Sequence, residues 1–222
     1  MNHKKLAVIF DMDGLIIDSE PLWRAAEISV FKTMGYQFTE AMCIQTMGMR
    51  IDSVVKFWHK KYKWENPSID TVVNNIQNKV IDLVNKQGKP LDGVITTIDL
   101  LKRNNIPIAI ASSSSSKIIN AVVDKLNIKD KFDVIHSAEN EKNGKPHPAV
   151  FNSTAAMLKV SNSECIVLED SKHGMMAAIN AKMKVIVIPE NGTQPMWTKK
   201  ADLQLKSLND FNLSHLSLLK AV

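Results

Sequence analysis

The apolar run Leu6-Ala7-Val8-Ile9-Phe10 is unbroken and stops at Asp11-Met12-Asp13-Gly14. A short continuous run bounded by turn residues is the pattern of a strand buried on both faces, as in a parallel sheet. The period then changes. Over 20–34 the apolar residues Leu22, Ala25, Ala26, Ile28, Val30 and Phe31 fall at mixed helical spacing, with Ser19 as the expected helix cap and Gly35 as the stop. Further helices are predicted over 51–63 and 68–87, the second following Asn66-Pro67-Ser68 and ending at Gly88. From Pro90 the pattern alternates: helix 93–104, strand 106–111, helix 117–126, strand 132–136, helix 147–158, strand 165–168, helix 171–181, strand 184–188 and a short strand over 202–205.

Strands alternating with helices imply a parallel sheet covered on both faces. The predicted fold class is α/β, a Rossmann-like parallel-sheet core with an inserted helical cap domain. Its expected boundaries are 1–17 and 89–222 for the core and 18–88 for the cap, with hinges at Asp18 and near Gly88 to Pro90. Composition agrees with a globular chain: of 222 residues, 45% are hydrophobic and 23% charged, which indicates neither disorder nor a fibrous repeat. The formal net charge of +5 comes from scattered lysines with no aromatic-basic motif beside them, so no nucleic-acid partner is expected. Instead, that field draws in anionic substrates. Cys43 and Cys165 lack paired metal-ligand spacing and suit a reducing compartment. No apolar run reaches the roughly 20 residues of a bilayer span, and no secretory signal pattern precedes the first strand. The expected setting is cytoplasmic, with no membrane partner, and the expected state is a monomer.

The chemistry gathers at strand ends. Asp11 and Asp13 follow the first strand; alone they are equally readable as turn residues. Strand 106–111 runs into Ser112-Ser113-Ser114-Ser115-Ser116, where hydroxyls and backbone N–H groups at a helix start can hold phosphoryl oxygens. Strand 132–136 leads to Gly144-Lys145-Pro146, a lysine placed for a phosphate clamp. Strand 165–168 ends in Glu169-Asp170, ahead of Ser171 and Gly174. All four lie on the rim where open α/β sheets bind ligands. An oxygen-only set built from Asp11, Asp170 and the Asp13 backbone carbonyl suits Mg²⁺, whereas zinc would want His or Cys.

These residues resemble the haloacid dehalogenase superfamily of phosphotransferases, whose four motifs are matched by Asp11-Met12-Asp13-Gly14, Ser112, Lys145 and Glu169-Asp170. The likeness covers nearly the whole chain. It is specific to the branch with a helical cap after the first motif, and Asp18-Ser19-Glu20-Pro21-Leu22-Trp23 and Met47-Gly48-Met49-Arg50-Ile51-Asp52 look most like the hexitol phosphatases, also called 2-deoxyglucose-6-phosphate phosphatases. The resemblance implies a Mg²⁺-dependent hydrolysis of small phosphate esters in which Asp11 attacks phosphorus and Asp13 serves as acid and then base. It further implies that Ser112, with Ser113 beside it, and Lys145 bind the phosphoryl oxygens. Asp11, Asp13 and Asp170 hold the metal, and Glu169 either joins them or orients a bound water. Glu20, Trp23 and Arg50 are the expected cap contacts to substrate. Mutases of this branch carry histidine where this chain has Trp23, a departure that favours hydrolysis over isomerisation. A signalling phosphoacceptor shares much of this chemistry but lacks both the cap and an acid two residues beyond the acceptor.

Overall fold

The structure, a computed structural model, describes residues 6–189 and 192–220. The expected outer core limits, residues 1 and 222, lie outside the described residues. Six parallel strands form one sheet in the order β3-β2-β1-β4-β5-β6: β1 Ala7–Phe10, β2 Ile108–Ser112, β3 Val134–Ser137, β4 Cys165–Glu169, β5 Lys184–Val187 and β6 Leu203–Gln204. β1 lies between β2, where Phe10 pairs with Ile110, and β4, where Phe10 pairs with Leu168. The first apolar run is thus central, which is why it carries no polar residue on either face.

The two-residue period of a strand divides its side chains between two cores. Val8, Phe10, Ile108, Ile110, Ile166 and Leu168 enter one core; the smaller set Ala7, Ile9, Ala109, Ala111 and Val167 enters the other. Helices α5 Val94–Arg103 and α6 Ser116–Lys125 pack on the first face, α7 Ala149–Leu158 and α8 Lys172–Asn180 on the second.

Four helices stand between β1 and α5: α1 Glu20–Thr33, α2 Glu40–Ile44, α3 Ile51–Tyr62 and α4 Ile69–Gln87. They have an aromatic interior, with Phe31 stacked on Phe38 at 3.8 Å and the Trp58 ring edge-on to Phe38 at 4.9 Å. Trp58 and Trp64 are both buried there. The chain enters and leaves this helical block side by side: Ile17 bridges Pro90, and the Asp18 N–H donates to the Lys89 carbonyl at 3.3 Å.

Two helices were not anticipated. α2 is a five-residue helix too short to show a period, and α9 Leu213–Lys220 is an apolar stretch with little amphipathic period, although Asn212 stands ahead of it and its side-chain oxygen accepts from the Ser214 N–H. Ser19 corrects another expectation. It stands at the N-cap position of α1 but makes no side-chain cap bond; its hydroxyl turns to Asp13 instead. Ser171, by contrast, does cap α8 by accepting from the Gly174 N–H. No helix among the described residues is long and apolar enough to cross a membrane.

Candidate active site

Strand register carries the four polar strand ends to one edge. Asp11 directly follows β1, and its N–H donates to the Leu168 carbonyl of β4, which aligns it with Glu169 and Asp170. The Lys145 ammonium crosses to this point, donating to Asp11 Oδ1 at 2.6 Å, Glu169 Oε1 at 2.7 Å and the Ala111 carbonyl at 3.1 Å. The second oxygen of Glu169 accepts from the N–H groups of Asp170 and Ser171 and from the Ser171 hydroxyl, each at 3.0 Å. Glu169 is thereby a fully engaged brace between Lys145 and the turn into α8.

Asp13 is held just as closely from other directions. Its Oδ1 accepts from Ser19 Oγ at 2.7 Å and Trp23 Nε1 at 2.9 Å; its Oδ2 accepts from Ser114 Oγ at 2.7 Å and Ser112 Oγ at 3.3 Å. Four donors fix the orientation of this carboxylate, and two of them belong to the entrance of the helical block.

Four carboxylates, Asp11, Asp13, Glu169 and Asp170, share this edge with the Lys145 ammonium. Burial pushes the Asp11 carboxyl up to about 8; Lys145 opposes that rise, while Glu169 and Asp13 add to it. Asp170 is held well above the ordinary carboxylate range by burial first, then by Glu169, Asp11 and Glu20. Burial alone would lower the Lys145 ammonium, but Asp11 and Glu169 outweigh it and keep lysine charged. The edge is short of positive charge.

A divalent cation fits that deficit. Oxygens of Asp11, Glu169 and Asp170 lie within 4.8 Å of one another, and Asp170 Oδ1 is buried without a hydrogen-bond partner. Because Glu169 is already committed to four donors, the oxygens with capacity to spare belong to Asp11 and Asp170. Such a set suits a hard cation that keeps waters and substrate oxygens as its other ligands. Gly14 permits the approach: its φ is +75°, and a Cβ there would stand 2.3 Å from Asp170 Oδ2. A cleft opens from this edge, walled by α1, the 46–51 segment and the serine loop.

Residues 8–188 match the family model described as haloacid dehalogenase-like hydrolase. The chain belongs to that family. This haloacid dehalogenase-like hydrolase is 38% identical over 214 residues to hexitol phosphatase B of Escherichia coli (strain K12), covering 95% of this chain and 96% of the relative. It is 28% identical over 180 residues to the phosphorylated carbohydrates phosphatase of Thermotoga maritima, covering 81% and 83%. Among solved structures, beta-phosphoglucomutase from Clostridium difficile superposes with a TM-score of 0.84 at 28% identity, covering 97% of this chain and 96% of that one.

Within this hydrolase, Asp11, Asp13, Ser113, Lys145, Asp170, Glu20 and Trp23 all line the cleft. Ser112 is fully buried behind them: its hydroxyl turns to Asp13 and also accepts from the Ser114 N–H at 3.0 Å. Trp23 presents its indole N–H to Asp13, so its polar end is engaged by the protein and not left for a sugar. Arg50, expected at the substrate, pairs through its guanidinium with Asp52 and donates to the carbonyls of Ala138 at 3.1 Å and Glu141 at 3.0 Å. Arg50 here clamps the helical block to the core, because those two carbonyls lie within reach of the segment that starts α3. Ser114, Glu27, Cys43 and Thr46 line the cleft without having been singled out. Only Ser114 had a signal, its place in the serine run; the other three stand on helical or loop positions that one chain cannot orient.

Proposed function

We propose that this hydrolase is a Mg²⁺-dependent phosphatase of small sugar or sugar-alcohol phosphates, of the hexitol phosphate and 2-deoxyglucose 6-phosphate class, in which the phosphoryl group passes through Asp11. The observation that carries the reading is the buried Asp11–Lys145 pair beside the partnerless oxygen of Asp170, with Asp13 two residues on and braced by four donors. The names of the relatives support the substrate class. Two free, buried cysteines suit the cytoplasmic setting. The helical cap is assigned to 18–88, between the two chain crossings at Ile17 and Pro90.

Asp11 attacks phosphorus in line with the ester oxygen, and Asp13, entering the cycle as the carboxylic acid with one of its four donors displaced by the substrate, gives its proton to that oxygen as the alcohol departs. Water then attacks the phosphoryl group on Asp11, losing its proton to Asp13, and the Asp11 carboxylate is restored. Lys145 faces the equatorial oxygens, where charge collects in the transition state, and Glu169 keeps its ammonium in place. Ser113 and backbone N–H groups of the serine loop supply further donors. Asp11 and Asp170, with the Asp13 backbone carbonyl, would hold Mg²⁺, which would supply charge neutralisation to the transferring group. A carboxylate at Asp13 is what distinguishes ester hydrolysis from dehalogenation, which has no alcohol to protonate.

The test is a phosphate-release screen across hexitol, hexose, deoxyhexose and glycolate phosphates with Mg²⁺ or with chelator. Release is expected with Mg²⁺ only, and Asp11→Asn is expected to abolish it while keeping substrate binding. Release that survives Asp11→Asn refutes the nucleophile; isomerisation of glucose 1-phosphate without release refutes the hydrolytic outcome.

A further inference from the structure

One face of α1 is polar where it meets the cleft. Glu20, Trp23, Arg24 and Glu27 follow one another at the spacing of a single helix face, and all four line the cavity. Trp23 is tied to Asp13 at the reacting end, and Glu27 stands one turn, about 6 Å, farther along the helix axis. Arg24 lies 3.8 Å from Glu20, so part of its charge is already answered.

Glu27 is the exception on this face. It is only 6% exposed, and its Oε2 is buried with no hydrogen-bond partner. The protein offers this carboxyl a thiol, that of Cys43, which is a weak donor. Burial pushes the Glu27 carboxyl up to about 7, which Cys43 only partly opposes. A buried polar oxygen left without a donor costs about 1–3 kcal/mol. Met47, Ile51 and Val54 give the same cleft apolar lining.

We infer that Glu27 forms a distal subsite that accepts hydrogen bonds from hydroxyls at the far end of a polyol or sugar phosphate and selects such esters over short ones. The inference rests on the phosphatase reading for the position of the phosphate end. It follows from the juxtaposition, in one cleft, of a buried carboxyl oxygen without a donor and apolar side chains, which suits a chain carrying C–H on one side and O–H on the other. A second anionic group at the far end of a ligand would meet Glu27 and Glu20 and is disfavoured, so the subsite selects neutral, hydroxylated termini.

Binding is measured by calorimetry in the Asp11→Asn background, so that turnover plays no part, using sorbitol 6-phosphate and glycerol 3-phosphate with Mg²⁺. Adding Glu27→Leu is expected to weaken sorbitol 6-phosphate about tenfold or more while glycerol 3-phosphate stays within about twofold. Glu27→Gln, which keeps the shape and one acceptor, is expected to fall between. In the otherwise native enzyme the same changes should raise KM for the long ester and leave kcat within about threefold. Equal weakening of both ligands, no weakening of either, or no binding of sorbitol 6-phosphate overturns the subsite. Selective weakening in an enzyme that releases no phosphate keeps the subsite and refutes the hydrolytic reading alone.

Discussion

Replacing Gly174 by alanine separates general helix reasoning from the reasoning this site demands. Gly174 is the third residue of α8, where alanine is ordinarily favoured by up to about 1 kcal/mol. Here a Cβ would stand 1.6 Å from Glu169 Oε1, 1.9 Å from its Cδ and 2.3 Å from Oε2. Reaching even the 3.0 Å below which real contacts are essentially never found requires a displacement of about 1.4 Å. Glu169 is fully buried and already braced, so the shift breaks its 2.7 Å contact with Lys145 and strains the three bonds to Oε2. Hydrogen bonds to charged groups are worth about 1.5–3 kcal/mol each, so a loss of about 3–5 kcal/mol follows, against the gain in propensity. For a chain of this size that lowers Tm by about 6–20 °C. A 3 kcal/mol loss in positioning Lys145 also lowers kcat by about two orders of magnitude. Thermal melts and Mg²⁺-dependent phosphate release check both, with Gly144→Ala as the control, since its Cβ would find an ordinary 3.5 Å contact with Arg50 Cβ. A Gly174→Ala protein that melts within 2 °C of the parent and releases phosphate within about twofold of its rate would falsify the assignment of Glu169 as the brace of Lys145.

Lys145→Met removes the cation shared by Asp11 and Glu169, and removing one partner of a buried pair costs about 3–5 kcal/mol. The expected drop in Tm is largest in chelator and partly reversed by Mg²⁺; equal drops with and without Mg²⁺ count against a cation site at Asp11 and Asp170. Glu27→Gln is expected to change the pH dependence of stability. Burial raises the Glu27 carboxyl from 4.5 to about 7, against the Cys43 thiol, so the folded state prefers its protonated form. That contribution is fully present below about pH 4.5 and is lost as pH rises through 7, a difference of about 3 kcal/mol that glutamine does not show. Urea denaturation at pH 4.5, 6 and 8 should therefore find the variant gaining on the parent as pH rises, and a constant difference refutes the burial of an unpaired acid.

The alternation of apolar runs and helical periods determined the parallel sheet, because strands buried on both faces cannot carry polar residues and their ends must. It also placed Asp11, Asp13, Lys145 and Asp170 on one rim, since parallel strands all end on the same side. Observed element limits fall within two residues of those predicted, and β2 extends just far enough to take Ser112 into the strand. Which donors meet which carboxylate was beyond the sequence. Ser19 was legible as a cap and serves Asp13; the bonds from Arg50 to the Ala138 and Glu141 carbonyls had no sequence signal; Glu27 was invisible as an acid within an ordinary helix. Periodicity fixes a residue's face relative to its own helix. Only the tertiary structure fixes what that face meets, because the angle at which the helical block docks on the sheet is set by contacts among residues far apart in the chain, and hydrogen bonds depend on it to within a few tenths of an ångström.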